Sequence, residues 1–441
     1  MKIAIVGGGV GGLVAARALV RAGIDAHVLE AGPRPGGVVL TSAADGFLRE
    51  HAASSFLGGP PGGALALCNE LGVEVVKASP AARTRWIYLD GKLRALPHSP
   101  FGLITTDLLT WRGKLALLGE PFRAAGSGSE ESVHAFAARR FGAEAARAIF
   151  APFVTGIYAA DAHAISLPAG FPKLAALDAQ GGMVRGMIKQ MLRGRRGGPA
   201  KTPRGMWAPR GGVGALASAL AGELGARVRL STPVARIEPA ERGVRIDGAA
   251  WDGAVLATPA EDAAALVAGP GFGDLASRLA GFHRAPMALV FLGFPAEAVP
   301  RARNGFGFLV AQGENVRVLG VVFESTVWPG RAPDGQVLLR CIYGGGRDPE
   351  ATRLDDAALL AQARSDVGAV LGIDAEPSHT SIVRWKRGVA QYGLGHRDRV
   401  RDATALARSQ RIVLAGADYR GPGINDLCAD GATIVAEVQA W

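Results

Sequence analysis

The apolar pattern opens with Lys2–Val6, a short run of β-branched and apolar residues of the kind that forms a strand buried on both faces. It enters Gly7-Gly8-Gly9-Val10-Gly11-Gly12 and then an Ala/Leu/Val-rich stretch over residues 13–22, predicted as helix. A second strand is predicted at 26–29. Much later, a helix at 215–224 precedes strands at 227–230, 234–237, 243–246 and 254–259. A last strand at 411–415 enters a glycine turn through 419–423 and then one helix over 424–440. Two inserts interrupt this scaffold. Residues 101–204 read as helical, whereas 263–403 alternate strand-like runs, such as 287–292 and 306–310, with a helix at 356–371.

Gly7, Gly9 and Gly12 fit G-x-G-x-x-G between a strand and a helix. The first glycine allows the turn, the second lets backbone approach a pyrophosphate, and the third lets helix pack on strand. Glu30 ends the second strand about twenty residues on, where an acidic side chain can accept both ribose hydroxyls. Ala31-Gly32-Pro33-Arg34-Pro35-Gly36-Gly37-Val38 follows. An arginine beside a diphosphate, with glycines admitting close approach, serves NAD or FAD equally, so the residues alone leave the nucleotide open.

Composition narrows the partners. At 441 residues the chain holds about two to four domains. Cys68, Cys341 and Cys428 make an odd count without paired spacing, which argues against a disulfide framework or a cysteine zinc site and for a reducing compartment. The net charge of +10 favours an anionic partner. No aromatic-interleaved basic strand supports nucleic acid. Residues 3–6 are too short for a signal-peptide core, and the longest uncharged stretch, 51–69, is broken by glycines and prolines, so a cytoplasmic protein is expected. Met183, Val184, Met187, Ile188, Met191 and Leu192 share one half of a helical wheel, with Arg185, Lys189 and Arg193 opposite. That stripe suits an anionic membrane surface at the cytoplasmic face and equally suits core packing with a solvated basic face.

Several longer motifs carry a resemblance: TRWIYLDGKLRALP from Thr84, FVTGIYAADAHAIS from Phe153, GFGFLV from Gly305, VLGVVFESTVWPGRAPDG from Val318, RWKRGVAQYGLGH from Arg384 and AGADYRGPGINDLCADG from Ala415. Over nearly its whole length the chain resembles the oxygen-dependent protoporphyrinogen oxidases of the flavin amine oxidase superfamily. The resemblance implies an α/β fold. Its split, Rossmann-like FAD-binding domain of the two-dinucleotide-binding-motif type would take residues 1–84, 205–262 and 404–441. An α+β substrate domain would take 85–100 and 263–403, and a helical, membrane-facing lobe 101–204. It also implies non-covalent FAD, a tetrapyrrole substrate, molecular oxygen, peripheral contact with an anionic membrane and no nucleic acid, and it admits a homodimer.

Residue by residue, the resemblance implies that Gly7, Gly8, Gly9, Val10, Gly11, Gly12, Glu30, Ala31, Arg34, Gly37 and Val38 hold the adenosine, diphosphate and flavin. Val234 would bracket the adenine, while Ala417, Pro422, Gly423 and Ile424 would lie along the isoalloxazine. Arg85 would bind a propionate, Leu309, Val322 and Ile342 would sandwich pyrrole rings, and the Gly156 backbone would meet the macrocycle core. Ala52, Ala53, Ser54 and Ser55 would form the flavin-side loop, although the family commonly has Gly-Pro where this chain has Ala52-Ala53; Ala160 and Ala390 replace a glycine and a proline. No side chain is assigned a catalytic role and no metal is expected, because the flavin carries the redox step. Coproporphyrinogen III oxidation and a flavin amine oxidase or desaturase activity are the alternatives, the last weakened because Pro422-Gly423-Ile424 supplies no aromatic cage.

Overall fold

A computed structural model describes residues 1–59, 61–97, 102, 105–123, 126, 129–183, 203, 205–299 and 304–441. The basic stripe at 184–193 lies outside these residues; Met183, at its start, packs against the core of the helical lobe.

The chain is mixed α/β. Strands Val228–Arg229, Asp25–Leu29, Lys2–Val6, Gly253–Leu256 and Ile412–Leu414 lie side by side in that order, all parallel. Alternation explains why these strands read as continuous apolar runs. Ile3, Ile5, Val255 and Val413 enter a core shared with helices Val10–Arg21, Gly214–Leu224 and Gly431–Gln439. Ala4, Val6, Leu256 and Leu414 enter the opposite core, under the meander Ile237–Ala240, Gly243–Ile246 and Ala249–Trp251. With both faces covered, these strands are mostly apolar, and the charged residues Lys2, Asp25 and Arg229 stand at strand ends.

A seven-stranded sheet forms the second body, in the order His379–Ala390, Arg284–Pro295, Gln336–Gly344, Gly320–Phe323, Gly307–Val310, Arg85–Leu89, Lys92–Ala95. Only Gly307–Val310 and Arg85–Leu89 pair in parallel. One face, including Val290, Phe308, Val321, Cys341 and Tyr343, packs on helix Asp356–Leu371 through Leu359, Ala363, Val367 and Val370. The other face is turned toward the candidate site. The described part of 101–204 is helical, and its helix Ala151–Tyr158 follows a π-helical turn at Ala146–Phe150. No helix among the described residues is long and apolar enough to cross a membrane.

Two expectations are corrected. The run 234–237 is not a strand: the Ala235 and Arg236 amides donate to the Asp247 carboxylate instead of to a ladder, and the strand begins at Ile237. The final helix is two, Ile424–Ala429 and Gly431–Gln439. They break at half-buried Asp430, which sits 3.5 Å from the Arg420 guanidinium.

Candidate active site

The glycine turn is tight where it meets the sheet and bare where it faces outward. Gly7 has φ +107°, and a Cβ on Gly12 would lie 2.0 Å from the Gly7 carbonyl oxygen. Gly9 has φ −67°, and a Cβ there would meet nothing within 4 Å. Buried Val10 opens the helix behind it, and Gly11 backs onto Gly416, with only 3.3 Å between an added Cβ and the Gly416 Cα. The following turn closes alongside: the Gly36 amide donates to the Gly8 carbonyl at 2.7 Å, and a Cβ on Gly37 would lie 3.2 Å from the Gly9 Cα. The Arg34 guanidinium donates to the carbonyls of Pro35 and Gly37 at 3.2 and 2.9 Å. Glu30 accepts from the Gly8 amide at 2.6 Å and the Gly32 amide at 2.7 Å. A carboxylate has about four acceptor sites, so two amides leave capacity for a ribose. Beside exposed Ala31 and half-buried Val38, the Ser231 and Thr232 amides donate to the Gly32 and Glu30 carbonyls, which brings half-buried Val234 to this strand end.

The C-terminal turn is fixed by side chains from elsewhere. The Tyr392 hydroxyl donates to the Ala417 carbonyl at 2.6 Å and accepts from the Gly421 amide at 3.0 Å. Its ring stacks on His396 at 3.9 Å. Burial pushes the Tyr392 phenol well up, so it stays protonated, and pushes His396 down to about 4, so that ring is neutral near pH 7. Asp418, buried, accepts from the Ala260 amide and pairs with Arg284, each at 2.8 Å. Pro422, Gly423 and Ile424 follow, held by Asn425, which accepts from the Ala64 amide and donates to the Leu57 carbonyl, both at 2.9 Å.

The loop holding Ala52, Ala53, Ser54 and Ser55 has no regular structure, yet neighbours clamp it. Arg340 donates to the Ala52 carbonyl at 2.6 Å and to the Ser54 hydroxyl at 3.2 Å. Trp385 donates to the His51 carbonyl at 2.7 Å. Burial, then the charges of Arg49 and Arg34, push His51 down to about 4.

Register aligns the candidate substrate residues. Leu309 pairs with Gly320, which pairs with Ile342; Gly307 pairs with both Arg85 and Val322. Side chains alternate along a strand, so Arg85, Leu309, Val322 and Ile342 share the face away from helix Asp356–Leu371. Gly156 stands over it: an added Cβ would lie 3.0 Å from Leu309 Cδ1. Phe153 and Ile157, on the same helix, are exposed beside it. Arg85 itself is exposed, with its guanidinium 5.3 Å from the Phe306 ring centroid and 3.2 Å from the Met206 sulfur. Among the described residues no carboxylate pairs with it.

The candidates therefore gather in three places: the two glycine turns that meet at Gly11 and Gly416, with Val234 beside the first; the 52–55 loop; and one sheet face with Gly156 over it. Arg340, Tyr392 and Asp418 were not singled out from sequence. The strand VLLRCIYG did carry a signal for Arg340, since a charge within an apolar run must find partners inside.

Residues 10–436 match the family described as flavin containing amine oxidoreductase. The chain belongs to that family. It is thus a flavoprotein oxidoreductase. It is 31% identical over 463 residues to a chloroplastic protoporphyrinogen oxidase of Oryza sativa subsp. japonica, covering 97% of this chain and 86% of that one. It is 30% identical over 488 residues to a coproporphyrinogen III oxidase of Propionibacterium freudenreichii subsp. freudenreichii, covering 99% and 90%. The solved structure of a presumed protoporphyrinogen oxidase from Exiguobacterium sp. 255-15 shares the fold, with a TM-score of 0.84 at 24% identity over 100% and 98% of the two chains.

Proposed function

We propose that the chain binds FAD without a covalent link and uses oxygen to convert protoporphyrinogen IX to protoporphyrin IX, releasing hydrogen peroxide. The observation that carries this reading is the sheet face. It is an apolar floor of Leu309, Val322 and Ile342 under Gly156, with Arg85, a cation that no carboxylate among the described residues pairs with, on the same face. A porphyrinogen has that form, apolar across its faces and anionic at its propionates. Coproporphyrinogen III is the second reading, favoured by the relative of that activity at 30% identity.

The residues fit a dinucleotide. Gly9 turns bare backbone to open space at the N-terminus of helix Val10–Arg21, where amides and the helix dipole favour a diphosphate. In this reading residues 1–84, 205–262 and 404–441 hold FAD, 85–100 and 263–403 hold the substrate, and 101–204 is the membrane-facing lobe. Glu30 takes the ribose, Arg34 sits by the diphosphate, Val234 by the adenine, and Ala417 and Pro422 to Ile424 along the flavin ring. Bound flavin supplies hydride acceptance from a bridging carbon and is reoxidised by oxygen. The protein's work is then orientation. Arg85 fixes which edge of the macrocycle enters, and Leu309, Val322 and Ile342 exclude water from its faces. The membrane part of the reading is supported by Trp111, Leu115 and Leu118, exposed one helical turn apart on Trp111–Leu118, with exposed Phe122 beyond them and Arg112 and Lys114 nearby.

The test is to purify the protein, release its chromophore with acid, and follow porphyrin fluorescence from each porphyrinogen. FAD in the supernatant and faster turnover of protoporphyrinogen IX are expected. A protein that cannot be loaded with FAD, or turns over neither porphyrinogen, overturns the proposal. Binding to anionic liposomes that weakens with salt tests the membrane contact.

A further inference from the structure

A charge is buried on the candidate-site face of the seven-stranded sheet. Along Gln336–Gly344, Leu339, Cys341 and Tyr343 face helix Asp356–Leu371, so Arg340 projects to the candidate-site face with Ile342. It is 6% exposed, opposite Val322 on one neighbouring strand and Phe291 on the other. A guanidinium in such surroundings is costly unless its donors are used. Nε lies 2.9 Å from fully buried Glu324, an ion contact without hydrogen-bond alignment. The two terminal nitrogens leave the sheet: Nη1 donates to the Ala52 carbonyl at 2.6 Å and the Glu50 carbonyl at 3.4 Å, and Nη2 donates to Ser54.

Trp385, from a further strand, takes the carbonyl between them, that of His51. The carbonyl of Glu50, which ends the strand Phe47–Glu50, and those of His51 and Ala52 after it are therefore all satisfied by side chains of the seven-stranded sheet. This chain has Ala52-Ala53 where a proline would fix one backbone angle, so the loop's conformation has to be imposed from outside.

We propose that Arg340 is the positioning residue that sets the height of the 52–55 loop over the substrate-facing sheet, and so the spacing between flavin and porphyrinogen. The inference rests on the function proposed above. It assigns Arg340 no contact with the reacting atoms. Its effect passes through the loop.

The test compares wild type with Arg340→Lys, Ser54→Ala and the double variant Arg340→Met/Glu324→Gln, which removes both charges and leaves no lone buried ion. For each, the readouts are the melting temperature, the FAD dissociation constant of the flavin-free protein, the visible flavin spectrum, and kcat and KM for the better porphyrinogen. In the double variant FAD affinity should fall on the order of ten-fold, with a shifted flavin spectrum and a lower kcat. Arg340→Lys should lie between, because an ammonium cannot span both carbonyls and Ser54. Ser54→Ala should give the smallest shift of the same kind. A folded double variant with wild-type FAD affinity and spectrum overturns the proposal, whatever its melting temperature. If the double variant does not fold, unchanged affinity and spectrum in both charge-preserving variants overturn it equally. Wild type that takes up FAD and oxidises porphyrinogens while the variants match it sinks only the role of Arg340; wild type that takes up no FAD sinks the proposed function and this role together.

Discussion

At the glycine turn the surface offered to a ligand is backbone, whereas on the seven-stranded sheet it is side chains. Gly9 contributes nothing but its peptide, and the space before it exists because Gly7, Gly12 and Gly37 let chain segments approach. Leu309, Val322, Ile342 and Arg85 contribute shape and charge, and their backbone is spent on strand pairing. The first kind of site is made by leaving atoms out, so any addition harms it. The second is made by putting atoms in, so it is graded by size and charge.

The largest effect should come from testing that contrast at two glycines. In Gly12→Ala the new methyl group meets the Gly7 carbonyl at 2.0 Å, so the protein should lose about 3 kcal/mol of stability, read by denaturant unfolding. Gly9→Ala, with an ordinary φ and nothing nearby, should keep the stability of the flavin-free protein within about 0.5 kcal/mol while FAD affinity drops at least ten-fold. Equal FAD affinity in Gly9→Ala and wild type would break the comparison.

Next in size is Arg85 on the side-chain site. Losing a charge-assisted hydrogen bond costs roughly 1.5–3 kcal/mol, so Arg85→Ala should lower kcat/KM about ten- to a hundred-fold with the flavin spectrum intact. Arg85→Lys should recover part of it, since it keeps the charge without the planar fork. Unchanged kinetics on both porphyrinogens would remove Arg85 from the site.

The last effect is set by pH. His51, under the clamped loop, and His396, under Tyr392, are each pushed down to about 4 from the usual 6.5. The unfolded chain then takes up these protons before the folded one. Their contribution to stability is complete above about pH 6.5 and is lost as pH falls toward 4. Thermal unfolding should show a melting temperature falling by about a few degrees across that window. His51→Gln and His396→Gln should each flatten the slope, and a slope unchanged in both would assign it to other groups.

What could be read from sequence was whatever is decided locally. Helix Asp356–Leu371 was legible because Asp355 caps it, accepting from the Ala358 amide at 2.8 Å, and Gly372 ends it at φ +72°. The glycine turn was legible because its backbone demands sit within six residues. Flavin amine oxidoreductase membership was likewise legible from motifs spread along the chain. The break at Asp430 was not, since it depends on Arg420 and on Gly431 packing against Ala18. Nor was the row of Arg85, Leu309, Val322 and Ile342, which needs the register of four strands. Arg340 was hidden for a related reason: its partners at 50–54 lie nearly three hundred residues away.

The close approach of Gly11 to Gly416 also says something about how this protein comes into being. The parallel sheet that bears the first glycine turn needs a strand at 253–256, and the second turn follows a strand at 412–414, so the two halves that must meet are made far apart in time. Until they meet, the nascent chain carries the first strand without its partner at 253–256 and the first glycine turn without the second. Contacts of such sequence separation form slowly. A ligand that binds only the joined halves draws the finished chain toward the native state by mass action. Supply of that ligand in the cell would then govern how much of the newly made protein survives, before it governs how fast the protein works.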